Sequence, residues 1–411
     1  MKVTDALSGK KIILGITGCI SAYKSCLLIR DLVKRGAEVK VVVTPSALEF
    51  ITPLTLSTLS RNDVIVSTFP KGIDSKAKST TWHIDLGLWA EIMVIAPASV
   101  NTIAKIANGF CDNPLTTLVT ALRCPLLICP TADVDMYKAK VTQQNISKLK
   151  SFGFHILEAE EGDLASGLSG KGRLPEINKI TDNIELILSG FQPDLTGKKL
   201  LITAGPTYED IDPVRYIGNR SSGKMGYELA KAAFLRGADV TLISGPSSEG
   251  LYQEIPLIKV RSAAEMKSVV DKHLKFYDAL IMAAAVADFR PMNTAKDKIK
   301  KEDNLQIIKL EKTSDILANL NISKSASAKN KLIKVGFALE TNDEEKNAAK
   351  KLTQKGLDLI VLNSLRDSLS GFEFDTNKIK ILNKKNQITE FPLMSKFQAS
   401  NRILSELRKL L

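Results

Sequence analysis

Histidine is scarce in this chain, with three in 411 residues, and no two of them are spaced as metal ligands. A histidine-based metal centre is therefore disfavoured. The five cysteines, at positions 19, 26, 111, 124 and 129, are odd in number, contain no C-x-x-C pair and mostly sit beside apolar segments. That excludes a disulfide framework or a cysteine zinc site and reads as the reduced thiols of a cytoplasmic protein. No apolar run approaches the length of a membrane span, and the start MKVTDALSGK lacks a signal-type apolar region. Aromatic residues make up only 6%, and the lysines behind the net charge of +12 are spread along the chain. The charge therefore reads as attraction to phosphorylated small molecules rather than to nucleic acid.

What is present is an ordinary core-forming composition, 44% hydrophobic and 25% charged, over a length that suits two or three domains. Lys11 to Thr17 reads as a strand, Ser21 to Arg35 as a helix and Glu38 to Val43 as the next strand, which is a parallel strand–helix–strand unit. Later strands fall at 91–96, 125–129 and 154–157, with helices near 101–108, 114–122, 135–150 and 176–189. The pattern restarts after a boundary at 190–197, with strands at 198–203, 239–244, 279–286, 334–338, 359–362 and 378–382. Helices follow at 224–236 and 263–276, and a last one at 396–410. The fold class is α/β, with two Rossmann-like parallel-sheet domains over 1–190 and 191–411.

In such sheets ligands sit beyond the carboxyl ends of the strands. In the first half that gathers Gly15, Thr17 and Gly18 with Thr44 and with Ser99, Asn101 and Thr102. The spacing Gly15-x-x-Gly18 is not the full dinucleotide fingerprint, and no acidic residue closes the second strand, so a mononucleotide is the better expectation. His83, near a helix start, is either a general base at a flavin-sized pocket or a structural histidine. Asp133 and Asp135 either hold Mg²⁺ or cap the helix that follows, and capping is the cheaper reading. Five glycines within 162–172 argue against a regular element there and suit a mobile flap or a linker. In the second half, Asn219, Ser221, Ser222 and Lys224 precede a helix whose N-terminus favours an anion. Asp288 ends a strand, and Lys298, Lys300 and Lys301 follow as either phosphate-neutralising groups or a solvated loop. Gly336 to Thr341, with Phe337, adds another strand-to-loop junction.

These motifs together resemble a known family over the whole chain, the bifunctional coenzyme A biosynthesis enzymes that fuse phosphopantothenoylcysteine decarboxylase to phosphopantothenate–cysteine ligase. The second half carries I-T-A-G-P-T at 202–207, I-D-P-V-R-Y-I at 211–217, N-R-S-S-G-K-M-G at 219–226, A-A-V-A-D-F-R-P at 284–291, K-I-K-K at 298–301 and G-F-A-L-E-T at 336–341. The resemblance implies that CTP, with Mg²⁺, activates 4′-phosphopantothenate as an acyl cytidylate that L-cysteine then attacks. It places Asn219 at that intermediate, Lys298 at the activation step, and Ala284, Asp288 and Phe337 at the substrates. The first half is similar to the homo-oligomeric flavin-containing cysteine decarboxylases through G-x-T-G at 15–18, A-Y-K-S at 22–25, F-I-T-P-L at 50–54, H-I-x-L at 83–86 and P-A-S-V-N-T at 97–102. FMN as cofactor, His83 as a catalytic residue and 162–174 as a substrate flap are implied. So is a homo-oligomer with trimeric contacts in the first domain and dimeric contacts in the second.

Two positions depart from that pattern. Ser166 stands where the family flap has its proton-donating cysteine, and Asp133 where the family has an asparagine that binds the substrate carboxylate. Free cysteine titrates near pH 8.5, and a serine hydroxyl is a far weaker acid. An ionised Asp133 also sets like charges together. The alternative expectation is thus an active ligase joined to a decarboxylase domain that is impaired, structural or altered in its flavin chemistry.

Overall fold

The computed structural model describes residues 5–69, 81–300, 307–320, 332–340, 343–364 and 374–411. They form two compact units, Asp5–Gly190 and Phe191–Leu411. In the first, six parallel strands lie in the order Val64–Ile65, Glu38–Val43, Lys11–Ile16, Ile92–Ala98, Leu126–Pro130, His155–Ile156. In chain order this is 3-2-1-4-5-6, the doubly wound arrangement. Both faces of these strands are apolar because both are covered. Ile12, Leu14 and Ile16 pack with Leu28, Leu32 and Ile184, while Ile13 joins Leu115, Leu118 and Ile146.

Three expectations change in this unit. The helix over 21–35 is a 3₁₀ turn, Ile20–Tyr23, running into an α-helix, Lys24–Lys34. The helix over 135–150 is broken into Val134–Lys138 and Lys140–Ser151, because Ala139 leaves helical geometry at ψ 133°. The glycine-rich segment is a regular element after all. Glu160–Asp163 and Ser169–Arg173 form an antiparallel hairpin. Its glycines permit close approach: a Cβ on Gly172 would lie 2.2 Å from the Ala132 carbonyl oxygen, and one on Gly170 would lie 2.7 Å from Val134. The Ala132 N–H donates to the Gly172 carbonyl at 3.1 Å, so the hairpin rests backbone to backbone on the loop after Leu126–Pro130.

The second unit holds an eight-stranded sheet ordered Leu257–Lys259, Asp239–Ser244, Lys199–Ala204, Ala279–Met282, Ile333–Glu340, Leu359–Ser364, Ile379–Asn383, Ile388–Glu390. The first six are parallel, and the last two run antiparallel. The parallel pattern ends where Ile379–Asn383 runs antiparallel to Leu359–Ser364, and the turn between Asn383 and Ile388 is too short for a crossover, so Ile388–Glu390 returns as a hairpin. The strand expected over 279–286 stops at Met282. Beyond it the chain crosses the end of its neighbour, where the Ala285 N–H donates to Gly205 and its carbonyl accepts from Thr207. Arg236 is 1% exposed and pairs with both oxygens of Asp194 at 2.8 Å, and it also donates to the Asn401 carbonyl and to Ser405. Among the described residues no helix is long and apolar enough to cross a membrane.

Candidate functional site

Each unit has a cavity at the carboxyl ends of its strands. In the first it measures about 620 Å³ and is lined by Gly18, Cys19, Thr44, Ser46, Ser99, Asn101, Thr102, Thr131 and Asp133, among others. Ser99 is the N-cap of the helix Val100–Ala107, accepting from the Thr102 N–H, so the start of that helix faces the cavity. The Thr44 hydroxyl is buried there with no hydrogen-bond partner among the described residues. Gly18 has no room for a side chain, since a Cβ would sit 2.5 Å from that of Ser46.

Two residues expected at this pocket stand behind it. Thr17 is fully buried, donates to the Pro97 carbonyl at 2.8 Å and accepts from the Ser99 N–H at 2.8 Å. It therefore fixes the 97–99 loop and is absent from the cavity wall. Gly15 is inside the strand, where a Cβ would meet Leu115 at 2.9 Å. His83 lies on the helix Trp82–Trp89, edge-on to Trp82 at 5.5 Å, and does not line the cavity.

The two departing positions are brought together. The Ser166 hydroxyl, at the tip of the hairpin, donates to Asp133 Oδ2. Asp133 occupies the N-cap position of Val134–Lys138 but makes no cap hydrogen bond, so the capping expectation fails because the serine engages the carboxylate instead. The hairpin base is held by Glu158. Burial alone would raise its pKa, but hydrogen bonds from Lys150, Tyr137 and Lys171 hold it at about 2.

The cavity of the second unit, about 440 Å³, is lined by Asn219, Ser221–Met225, Met282–Val286, Asp288, Thr313–Leu317, Phe337, Lys355, Asn363, Asn377 and Lys396. The Asn219 amide donates to the Ala285 and Val286 carbonyls at 3.1 and 3.0 Å. Gly223, at φ 87°, turns the chain into the helix Lys224–Leu235, and a Cβ there would lie 3.0 Å from the Gly205 nitrogen. The Ser221 and Ser222 hydroxyls accept from the Gly223 and Lys224 N–H groups. Ala284 is fixed by its N–H to the Thr203 hydroxyl.

Lys298 is exposed on a loop outside this wall, anchored where the Ile299 N–H donates to Asp212. Burial raises the Asp212 pKa, but the backbone N–H groups of Val214, Arg215 and Ile299 bring it below its ordinary value. Lys301 and Thr341 lie outside the described residues.

Sequence reasoning did not find Lys355, Lys396, Asn363 or Asn377. Lys224 pairs with Asp375, and Lys355 with Asp315 at 2.9 Å. Lys396 is buried at the start of the helix Lys396–Arg408, and burial, reinforced by Lys224, pushes its pKa down to about 8. The buried Asn363 Oδ1 has no partner among the described residues. A lysine at a predicted helix start was the available signal for Lys396. Among the described residues no group of three or more histidine, cysteine or acidic side chains is placed to hold a metal.

Residues 195–411 match the family described as DNA/pantothenate metabolism flavoprotein C-terminal domain, and residues 1–189 the family described as flavoprotein. The coenzyme A biosynthesis bifunctional protein CoaBC of Bacillus subtilis is 43% identical over 98% of this chain and 98% of its own. Its counterpart in Escherichia coli is 40% identical over 92% and 91% respectively. A protein from an unknown prokaryotic organism, named cysteine/cysteine sulfinic acid decarboxylase, is 46% identical over 87% of this chain and 98% of its own. Among solved structures, the C-terminal domain of a CoaBC protein aligns with a TM-score of 0.45 at 37% identity, over 53% of this chain and 97% of that one.

Proposed function

Because the chain belongs to the family of coenzyme A biosynthesis bifunctional proteins, enzymes that join a ligase to a flavoprotein decarboxylase, we propose how its two cavities divide that work. Residues 191–411 use CTP and Mg²⁺ to join 4′-phosphopantothenate to L-cysteine. Residues 1–190 hold FMN and decarboxylate the 4′-phosphopantothenoylcysteine so formed. The observation that carries the reading is the composition of the second cavity, where a helix N-terminus, three lysines, Asp288 and Asn219 share one wall.

The Lys224–Leu235 N-terminus together with Lys224, Lys355 and Lys396 suits a polyphosphate. Asp288 and the unpartnered Asn363 oxygen accept from the hydroxyl and N–H groups of ribose and base. With both amide hydrogens of Asn219 engaged, its Oδ1 remains to accept from the acyl-cytidylate. Mg²⁺ arrives with the triphosphate, whose oxygens supply the ligands that the described wall lacks. Lys298 acts in activation once its loop folds over the bound nucleotide.

The first cavity fits FMN. Thr44 has a buried hydroxyl without a partner, the helix behind Ser99 offers N–H groups to a phosphate, and Gly18 allows close backbone approach. Asn101 and Thr102 add polar contacts, while Thr17 and Gly15 set the loop and strand behind them. FMN held by these residues would supply a two-electron acceptor regenerated within the cycle, so the reaction would be redox-neutral overall. His83, away from the cavity of its own chain and beside the exposed Ile84 and Leu88, serves a neighbouring copy in a homo-oligomer. The relatives' full-length match supports two working halves over an impaired first domain, and the protein works in the cytoplasm.

Purified protein given CTP, Mg²⁺, 4′-phosphopantothenate and cysteine is expected to release pyrophosphate and then CO₂, and to carry a yellow chromophore. Failure to release pyrophosphate would overturn the ligase reading, and a colourless protein that releases no CO₂ would overturn the flavin reading.

A further inference from the structure

The strand Ile92–Ala98 loses both of its neighbours just before it reaches the first cavity. Its pairing with Lys11–Ile16 stops at Ile95, and its pairing with Leu126–Pro130 shifts register between Ile95 and Ala98. Ala96 and Pro97 therefore have no strand partner on either side among the described residues. Both are buried, and buried carbonyls need donors. Two hydroxyls from different elements supply them. Ser25, 1% exposed on the helix Lys24–Lys34, donates to the Ala96 carbonyl at 2.8 Å. Thr17, fully buried, donates to the Pro97 carbonyl at 2.8 Å and accepts from the Ser99 N–H at the same distance. One hydroxyl thus spans residues 97 to 99 and sets Ser99 where its own side chain caps the helix Val100–Ala107.

We propose that Thr17 and Ser25 are positioning residues for the phosphate end of the flavin, and that through them the first cavity selects a phosphorylated flavin over its unphosphorylated parent. This deepens the flavin reading and rests on it. Neither side chain lines the cavity, so both act through the strand end and the helix start that they fix. The buried Thr44 hydroxyl on the same wall, 6% exposed and without a partner among the described residues, marks a place for a polar ligand group. The lysine of that wall, Lys105, is paired with Asp112. The attraction for a phosphate therefore comes from the backbone N–H groups that open Val100–Ala107. Charge-assisted hydrogen bonds of that kind weaken steeply with misalignment, whereas a mobile lysine would follow its ligand. A shift of the helix start costs the phosphate and leaves the ring system of the flavin untouched. The pair also gives a physical reason for two separate motifs, G-x-T-G at 15–18 and A-Y-K-S at 22–25, since both converge on one strand end.

The test titrates the full-length chain, washed free of flavin, with FMN and separately with riboflavin, reading the change in flavin fluorescence. The parent is expected to bind FMN about a hundredfold more tightly than riboflavin, the scale of two charge-assisted hydrogen bonds. In Thr17→Val, which keeps the shape and removes the hydroxyl, the Kd for FMN should rise by about tenfold, while that for riboflavin stays within about twofold. Ser25→Ala should move FMN the same way by about threefold, because it frees one carbonyl and leaves Ser99 held. Thr17→Ser keeps the hydroxyl and should restore the parent ratio. A merely structural role would weaken both flavins together, so an equal loss of FMN and riboflavin in the variants would overturn the proposal. Unchanged FMN affinity in both Thr17→Val and Ser25→Ala would overturn it as well. A parent that binds the two flavins equally would overturn the phosphate subsite and leave the flavin reading standing, and a parent that binds neither would overturn both.

Discussion

Asn219 makes two hydrogen bonds that a near-isosteric aspartate cannot make. Its amide holds the Ala285 and Val286 carbonyls, so the loop crossing the cavity floor depends on it. The Asn219→Asp variant would face those carbonyls with an anion. Pyrophosphate release is expected to drop by about a hundredfold, the equivalent of two lost hydrogen bonds, with the melting temperature little changed. Lys396 sets a pH dependence. Its folded pKa, lowered to about 8, leaves it cationic below that value and neutral above it. CTP affinity measured by calorimetry should therefore fall as pH rises through about 8, and bound phosphate should move that midpoint upward. Lys396→Gln should bind about tenfold more weakly at pH 7 and lose the dependence. Gly18, Asn219, Ser221 and Ser222 were legible as cavity-lining residues because each sits in a strand-to-helix loop that the sequence marks, whereas Gly15 and Thr17 stand behind theirs. Lys396 and Lys355 were not, because each reaches its cavity from an element distant in sequence.

At the scale of elements, strands and most helices were readable from apolar periodicity, since a fully covered parallel sheet needs apolar residues on both faces. The glycine-rich hairpin was not. Glycine signals irregular backbone and close packing alike, and only the Ala132 carbonyl beside Gly172 tells them apart. Gly172→Ala is expected to lift the hairpin from the 130–133 loop, breaking the Ser166–Asp133 contact. Overpacking of this kind costs about 1–3 kcal/mol. The measurable outcomes are a lower melting temperature of the first domain and faster proteolysis at 162–171, with the ligase rate unchanged. The antiparallel edge of the second sheet was equally hidden, because the direction of Ile379–Asn383 leaves no mark on the strand's own residues.

For the molecule as a whole, each unit has apolar clusters of its own among the described residues. Residues 191–411 expressed alone are expected to keep ligase activity within about twofold, and 1–190 alone to fold with flavin bound, since domains with complete cores fold as units. Loss of pyrophosphate release in the isolated second half would overturn that independence. The boundary near residue 190 was legible from a run of glycine, proline and polar residues, but its tolerance was not, because that depends on Arg236.

That arginine decides where the second domain can be cut. Asp194, only a few residues past the boundary, supplies the carboxylate for a guanidinium that is 1% exposed. A fragment beginning at residue 197 would leave a buried cation without its counter-ion, a loss of about 3–5 kcal/mol, whereas one beginning at 191 would not. The apparent linker is therefore a terminal clasp, and proteolytic trimming that removes Asp194 should send the fragment toward aggregation, while trimming that stops before it should leave a soluble ligase.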